Sequence, residues 1–286
     1  MPRSFVAFLF HFCSMKFICF NGEILPEQNL FTPQNRGFRY GDGVFETIKI
    51  FRGKTLLEEF HFDRLFSSLA LLKLIASNNF TQEILARNIL DLCNINKCFN
   101  SARVRLAVFR GEENKVEFVI EAFYLEEDIN QLNEEGWKIE IYPLVRKTCD
   151  AFANLKSANY LPYVLADLYA KEMGCQESIV LNTYNNVCDA SKANIFLIVK
   201  DEVYTPALHQ GCVNGVKRRF VIDELKKEGF TVYQREVDEE LLLRANEVFL
   251  TNAINDIRWV KTFRNKTYGN AFTKEFYRKS FLSIYS

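Results

Sequence analysis

Histidine, tryptophan and proline are scarce in this 286-residue chain, which holds three, two and six of them. Three dispersed histidines and eight scattered cysteines without a CxxC pair do not make the close-spaced ligand set that zinc needs, so no metal site is expected. The nearest cysteines, Cys93 and Cys98, suggest no disulfide framework either, and reduced thiols in a cytoplasm are expected. Charge of one sign is lacking too. Lys plus Arg and Asp plus Glu number 36 each, leaving no net field to draw in nucleic acid or an anionic membrane. Long hydrophobic runs are absent: Phe5 to Phe10 is too short to span a bilayer, and it lacks the longer apolar core and cleavage site of a signal peptide. A strand-like segment begins directly after Met15, so the native start is expected there, with residues 1–14 extraneous. No internal repeat or low-complexity segment is present.

The length suffices for two packed domains. Alternation from Phe17 to Ile24 around Asn21-Gly22 predicts a strand pair with a type I′ turn. Gly37, Gly41 and Gly43 then precede an alternating run to Phe51, which predicts a sharp bend feeding a sheet. Arg52-Gly53-Lys54 closes a hairpin whose return strand is expected at Leu56 to Phe60. The following stretch, from His61 to Leu74, reads as an amphipathic helix with Leu65, Leu69 and Leu72 on one face and Arg64 near its start. A second helix, Thr81 to Cys93, and a long hairpin, Ala102 to Gly111 with Val116 to Phe123, complete an α+β unit. Charged residues Glu126 to Glu135 read as a linker, dividing a small N-terminal domain at 15–128 from a larger C-terminal one at 136–286.

The second half opens with a strand from Trp137 to Tyr142 and a helix that runs from about Pro162 to Met173, stopped by Gly174. Four strands follow as a meander between Ser178 and Pro206, then a glycine-bearing loop, Gly211 to Gly215, feeding a helix from Phe220 that stops at Gly229. Further elements are a strand at Phe230 to Glu236, a short helix at Asp238 to Ala245, a strand at Glu247 to Ala253 and a helix near Thr273 to Ser283. Three features carry chemistry. Lys156 sits in the crowded stretch Ala151 to Tyr160 just ahead of a helix, where desolvation disfavours the ammonium and leaves a nucleophilic amine of the Schiff-base kind. A solvated loop lysine is the ordinary reading of those residues taken alone. Asp189 is a lone acid in otherwise neutral strands, and the glycine loop places free N–H groups at a helix start, where a phosphate binds.

Six motifs in order resemble the fold-type IV pyridoxal-phosphate enzymes, the family of branched-chain and D-amino acid aminotransferases and aminodeoxychorismate lyase. They are Tyr40-Gly-Asp-Gly-Val-Phe-Glu-Thr, His61-Phe-Asp-Arg64-Leu, Leu155-Lys156-Ser-Ala-Asn-Tyr160, Asp189-Ala-Ser-Lys-Ala-Asn194-Ile-Phe, Val213-Asn-Gly215-Val216-Lys217-Arg and Leu250-Thr-Asn-Ala-Ile. The resemblance runs from about Phe17 to Val260. It implies a two-domain α+β and α/β fold with pyridoxal 5′-phosphate bound covalently by Lys156, which then moves the proton at the substrate carbon. Arg64 and the backbone N–H groups of Val216 and Lys217 would hold the phosphate, and Tyr160 would lie near the phenolic oxygen. Tyr40 and Arg110 would meet substrate, with Arg105 competing for the carboxylate. Asp189 stands where the family has a glutamate for the pyridine nitrogen. Ala253 replaces a threonine hydroxyl that aminotransferases of the family tend to offer.

The resemblance also implies a homodimer whose active sites lie between domains and are completed by a loop of the second subunit. The stretches Tyr204 to Val216 and Thr251-Asn-Ala resemble the lyase more than the branched-chain enzymes. That favours elimination of pyruvate from 4-amino-4-deoxychorismate, giving 4-aminobenzoate for folate synthesis. The alternatives are amino transfer from a branched-chain or D-amino acid to 2-oxoglutarate, and a binding protein that has kept only the fold.

Overall fold

The computed structural model describes residues 16–281 and 285, and the expectation for residues 1–14 lies outside them. The first half runs β1 (Phe17–Phe20), β2 (Glu23–Pro26), α1 (Arg36–Tyr40), β3 (Gly43–Phe51), β4 (Lys54–Thr55), α2 (Glu58–Leu71), α3 (Gln82–Ile95), β5 (Ser101–Arg110) and β6 (Val116–Tyr124). Its six strands form an antiparallel sheet in the order β2-β1-β6-β5-β3-β4. The apolar faces of α2 and α3 close on it, with Leu65, Leu69, Leu85, Ile89 and Leu92 packed against Ile48, Val104, Leu106 and Ile120. Alternation along β3 and β5 therefore sends one set of side chains into this core and the other, Phe45, Thr47, Arg103 and Arg105, to the opposite face.

The second half runs β7 (Trp137–Lys147), α4 (Leu161–Glu172), β8 (Glu177–Asn182), β9 (Val187–Ala190), β10 (Asn194–Val199), β11 (Glu202–Pro206), α5 (Val216–Lys227), β12 (Val232–Arg235), α6 (Glu239–Arg244), β13 (Glu247–Asn252), β14 (Asp256–Phe263), β15 (Lys266–Thr267) and α7 (Ala271–Ser280). Among the described residues these strands make one nine-stranded mixed sheet, β12-β11-β10-β13-β14-β7-β8-β9 with β15 beside β14. Helix α4 covers one end through Tyr163 and Ala166, while α5 and α7 cover the other through Val221, Leu225 and Phe276. Between the two sheets the chain is tied to β14, since Arg258 donates to the carbonyls of Ile129 and Gln131 at 2.8 Å each. No helix among the described residues is long and apolar enough to cross a membrane.

Three local expectations need correction. Leu56 to Phe60 is not a return strand: Leu57 adopts a left-handed backbone with φ of 55°, and α2 starts at Glu58. Glu58 and Glu59 in the first turn favour the helix because their charge meets the positive end of its dipole. Strand β7 does not stop at Tyr142 but continues through Pro143 to Lys147. The parallel pairing with β8 shifts register between Ile141 and Arg146, and that irregularity accommodates the missing proline N–H. Helix α5 begins at Val216, four residues before the expected Phe220, directly after Gly215.

Candidate active site

The lysine segment lies between β7 and α4, and backbone bonds fix it to the first sheet. Phe45 N–H donates to the Lys156 carbonyl at 3.0 Å and Ala158 N–H to the Gly43 carbonyl at 2.9 Å. The Lys156 amine is thereby set 4.5 Å from the centre of the Phe45 ring and 5.5 Å from that of Tyr160. Burial first, and the charge of Arg64 after it, push the amine's pKa down to about 7.

Arg64 projects from α2 and is anchored from behind. Its Nε and Nη2 fork onto Glu46 of β3 at 2.7 and 2.5 Å, and its Nη1 donates to the Asn214 carbonyl at 3.1 Å. His61, one turn earlier, brings Nδ1 to 2.6 Å from the same carboxylate. Burial would raise the Glu46 pKa, but Arg64 and His61 outweigh it and hold the group at about 2. A bidentate, charge-assisted pair of this kind fixes the plane of the guanidinium as well as its position.

Asp189 of β9 is also surrounded by donors. Its Oδ2 accepts from the Tyr163 hydroxyl at 2.6 Å, from Val213 N–H at 3.0 Å and from Lys147 Nζ at 3.2 Å, while Oδ1 accepts from Asn194 at 2.9 Å. Burial raises its pKa above the usual aspartate value, with Lys147 and Tyr163 pulling the other way. Four donors and no acceptor match an ionised carboxylate. Tyr160, which stands beside Tyr163 at 4.6 Å between ring centres, has its phenol pushed up by burial and then by Asp189.

These groups face one cavity of about 460 Å³ between the two sheets. The matching family is amino-transferase class IV, over residues 43–263. The chain belongs to the class IV aminotransferases. Among curated relatives it is 30% identical over 264 residues to aminodeoxychorismate lyase of Bacillus subtilis (strain 168), covering 87% of each chain. It is 29% identical over 255 residues to D-alanine aminotransferase of Listeria monocytogenes serotype 1/2a, covering 85% of this chain and 86% of that one. A solved branched-chain amino acid aminotransferase of Thermobaculum terrenum, in its PLP form, superposes with a TM-score of 0.81 at 18% identity over 95% of this chain and 94% of that one. The fold is that of fold type IV.

In this class IV chain the cavity gathers Arg64, Arg105, Lys156, Tyr160, Asp189, Val216, Lys217 and Ala253. Tyr40 and Arg110 lie outside it. Tyr40 ends α1, exposed, with the Arg36 guanidinium 5.1 Å over its ring. The Arg110 nitrogens are already committed: Nε to Asp42 at 3.0 Å, Nη1 to Asn114 at 3.0 Å and Nη2 to the Leu72 carbonyl at 2.8 Å. Within this chain Arg110 therefore ties a hairpin end outside the cavity. Lys217 offers more than its backbone, because its ammonium ion-pairs with Asp256 Oδ1 at 2.6 Å while Lys49 takes Oδ2 at 3.0 Å. Arg218 is buried against the Pro206 carbonyl and Gln234, away from solvent.

Sequence reasoning passed over Glu46, His61, Lys147, Tyr163 and Thr251. For Glu46 a signal existed, as an acid inside the apolar strand Gly43 to Phe51, where only a buried partner makes it tolerable. Thr251 stood inside the motif Leu250-Thr-Asn-Ala-Ile without a role of its own, and its hydroxyl is buried in the cavity wall with no partner among the described residues.

Proposed function

We propose that this chain is a pyridoxal-phosphate enzyme that eliminates pyruvate from 4-amino-4-deoxychorismate and releases 4-aminobenzoate, a step in folate synthesis. The observation that carries the cofactor part of the proposal is a single amine, Lys156, brought to a pKa of about 7 in a cavity that also holds the anchored Arg64 and the buried Asp189. The residues fit the cofactor. Arg64, the first-turn N–H groups of Val216 and Lys217 at a helix start without a side-chain cap, and the unpartnered Thr251 hydroxyl all suit a phosphate. Thr251 thus supplies a hydroxyl two residues before Ala253, which has none. Gly215 is the residue this approach requires, since a Cβ there would collide with Asn194 Oδ1. Asp189 Oδ1 accepts one protein bond and keeps a lone pair for a ring nitrogen.

When bound, the cofactor supplies an electron sink for the pair left at the substrate carbon. The rest falls to the protein. Lys156 would hold the cofactor through Nζ and would act as a base while the substrate occupies the site. Its amine, with a pKa brought down to about 7, removes the proton from the carbon that bears the substrate nitrogen. The electron pair becomes the new ring double bond as the neighbouring carbon–oxygen bond breaks. Enolpyruvate leaves, and a proton returned to its methylene carbon makes pyruvate. Arg64 and Asp189, held by Glu46 and Lys147, keep the two ends of the cofactor site fixed during these proton movements.

The similarity to the Bacillus subtilis lyase supports elimination; the nearly equal similarity to the Listeria enzyme supports a second reading, amino transfer to 2-oxoglutarate. A lactate dehydrogenase-coupled assay for pyruvate from aminodeoxychorismate, run beside glutamate formation from leucine and D-alanine, separates them. Turnover of the amino acids alone would remove the lyase proposal. A homodimer is part of the same proposal, and light scattering tests it.

A further inference from the structure

Part of the cavity wall is the turn between β13 and β14 with the strand end before it, residues 251–255, and the start of α5 stands beside it. Within the turn Asn252 Oδ1 accepts from the N–H groups of Ile254 at 3.0 Å and Asn255 at 2.7 Å. The turn ends at Asp256, whose left-handed backbone, with φ of 54°, is one that residues other than glycine adopt uncommonly. Buried charge holds it there. Lys217 Nζ stands 2.6 Å from Asp256 Oδ1 and Lys49 Nζ 3.0 Å from Oδ2, and all three side chains are buried. One carboxylate thus joins the α5 start to the turn, and both to β3 of the first sheet. Lys49 also donates to the Ile254 carbonyl at 2.8 Å.

A fourth side chain completes this cluster. Tyr285, 236 residues along the chain from Lys49, accepts from the Lys49 ammonium at 2.8 Å, and its hydroxyl donates to Asp256 Oδ2. Ile254, Asp256 and Tyr285 then give Lys49 one acceptor for each of its three protons. The phenol ring is held by β3 as well. It meets Phe51 edge-on at 5.0 Å between centres, and the Lys49 ammonium lies 4.9 Å from its own centre. Side chains two apart on a strand share a face, so Phe45 and Thr47, which line the cavity, stand in one row with Lys49 and Phe51. Tyr285 packs on the end of the row opposite Phe45, whose ring lies under the Lys156 amine.

We infer that Tyr285 is a positioning residue for the phosphate end of the site, acting through Lys49 and Asp256 on the turn at 251–255 and on the first turn of α5. The inference rests on the cavity being the cofactor site proposed above, and it adds a residue that lies outside the cavity lining. The Thr251 hydroxyl and the N–H groups of Val216 and Lys217 belong to two separate elements, and Asp256 is the carboxylate that fixes one element against the other. Removing the Tyr285 hydroxyl takes an acceptor from Lys49 and a donor from Asp256, both buried, so the ion pair settles into another geometry. Donors on the turn and on α5 then no longer converge on one anion. The ring itself is unchanged in Tyr285→Phe, so packing on Phe51 is kept.

The test compares pyridoxal phosphate with pyridoxal, which carries the same aldehyde and no phosphate, by calorimetry on the full chain freed of cofactor. The wild type should prefer pyridoxal phosphate by at least about a hundredfold. Tyr285→Phe should cut that preference about tenfold by weakening pyridoxal phosphate alone, with pyridoxal binding unchanged. Inorganic phosphate as a competitor of pyridoxal phosphate gives a second reading free of the aldehyde, and the concentration needed for displacement should rise by about the same factor. An unaltered preference in Tyr285→Phe overturns the inference, and so does an equal weakening of the two aldehydes, which is the mark of a general loosening. A wild type that does not distinguish pyridoxal phosphate from pyridoxal removes the cofactor-site reading and this inference with it. A wild-type preference that survives in Tyr285→Phe leaves that reading standing and removes only the role of Tyr285.

Discussion

Replacing Arg64 by methionine should raise the pKa of the Lys156 amine in the cofactor-free protein. The shift from 10.5 to about 7 is caused first by burial and second by the Arg64 charge. At pH 7 the wild-type amine is then about half neutral, against roughly one part in three thousand for an ordinary lysine, a gain of more than a thousandfold in the nucleophilic form. Removing Arg64 deletes a repulsion and also frees the Glu46 charge, whose attraction favours the ammonium. Both act upward, by about one pH unit together. The free-energy equivalent of the full shift is an upper figure of about 5 kcal/mol, to be discounted because the Lys156 side chain is only half-buried. Pulse labelling with trinitrobenzenesulfonate across pH 5 to about 11, followed by peptide mass spectrometry, reads the midpoint, with solvent-exposed lysines of the same sample as reference. A wild-type midpoint near 10, or a midpoint unmoved or lowered in Arg64→Met, would refute the reasoning. The stability sign is also fixed. The unfolded chain binds the proton that the folded amine lacks between pH 7 and 10.5, so this group's contribution falls as pH drops through that window, and Lys156→Met abolishes the dependence.

Glu177 is the opposite case. Burial raises its pKa to about 7, so the folded chain holds a proton that the unfolded chain releases, and stability declines as pH rises from 4.5 to 7. Glu177→Gln should therefore raise the melting temperature at pH 8, by the equivalent of up to about 3 kcal/mol, and change little at pH 4.5; equal effects at both pH values would count against it. Lys147→Met removes the cation at Asp189 and should cost about 3 kcal/mol in urea denaturation. Combined with Asp189→Asn, the loss should be clearly smaller than the sum of the two single losses, and strict additivity would mean that the pair is not coupled.

The elements that sequence made legible are those whose own residues dictate them. Asn21-Gly22 does form the expected turn, with both residues at positive φ, between β1 and β2. The loop that starts α5 and the lysine segment ahead of α4 were legible because glycine and proline mark them. What was not legible depends on pairing at a distance. Leu56 to Phe60 has strand composition, yet one left-handed residue at Leu57 and two acids turn it into a helix. Pro143 looked like a strand end, and only the register shift against β8 lets the strand continue. The same holds for the site. Lys156, Arg64 and Asp189 stand in recognisable local patterns, whereas Glu46, Lys147 and Tyr163 matter only because folding carries them to those groups from 18, 42 and 26 residues away. Arg110, the last residue of β5, is likewise bonded to Asp42, Asn114 and the Leu72 carbonyl, groups that the sequence does not place beside it.

The central claim is that Lys156, alone among the lysines of this chain, bonds the aldehyde of pyridoxal phosphate. Incubation with the cofactor, reduction with borohydride and mapping of the labelled peptide tests it most directly. A phosphopyridoxyl group on the peptide that spans Leu155 to Tyr160, together with loss of the yellow colour in Lys156→Ala, is the predicted result. A label on Lys217 or Lys49 instead, or a protein that stays unlabelled at saturating cofactor, would contradict the account.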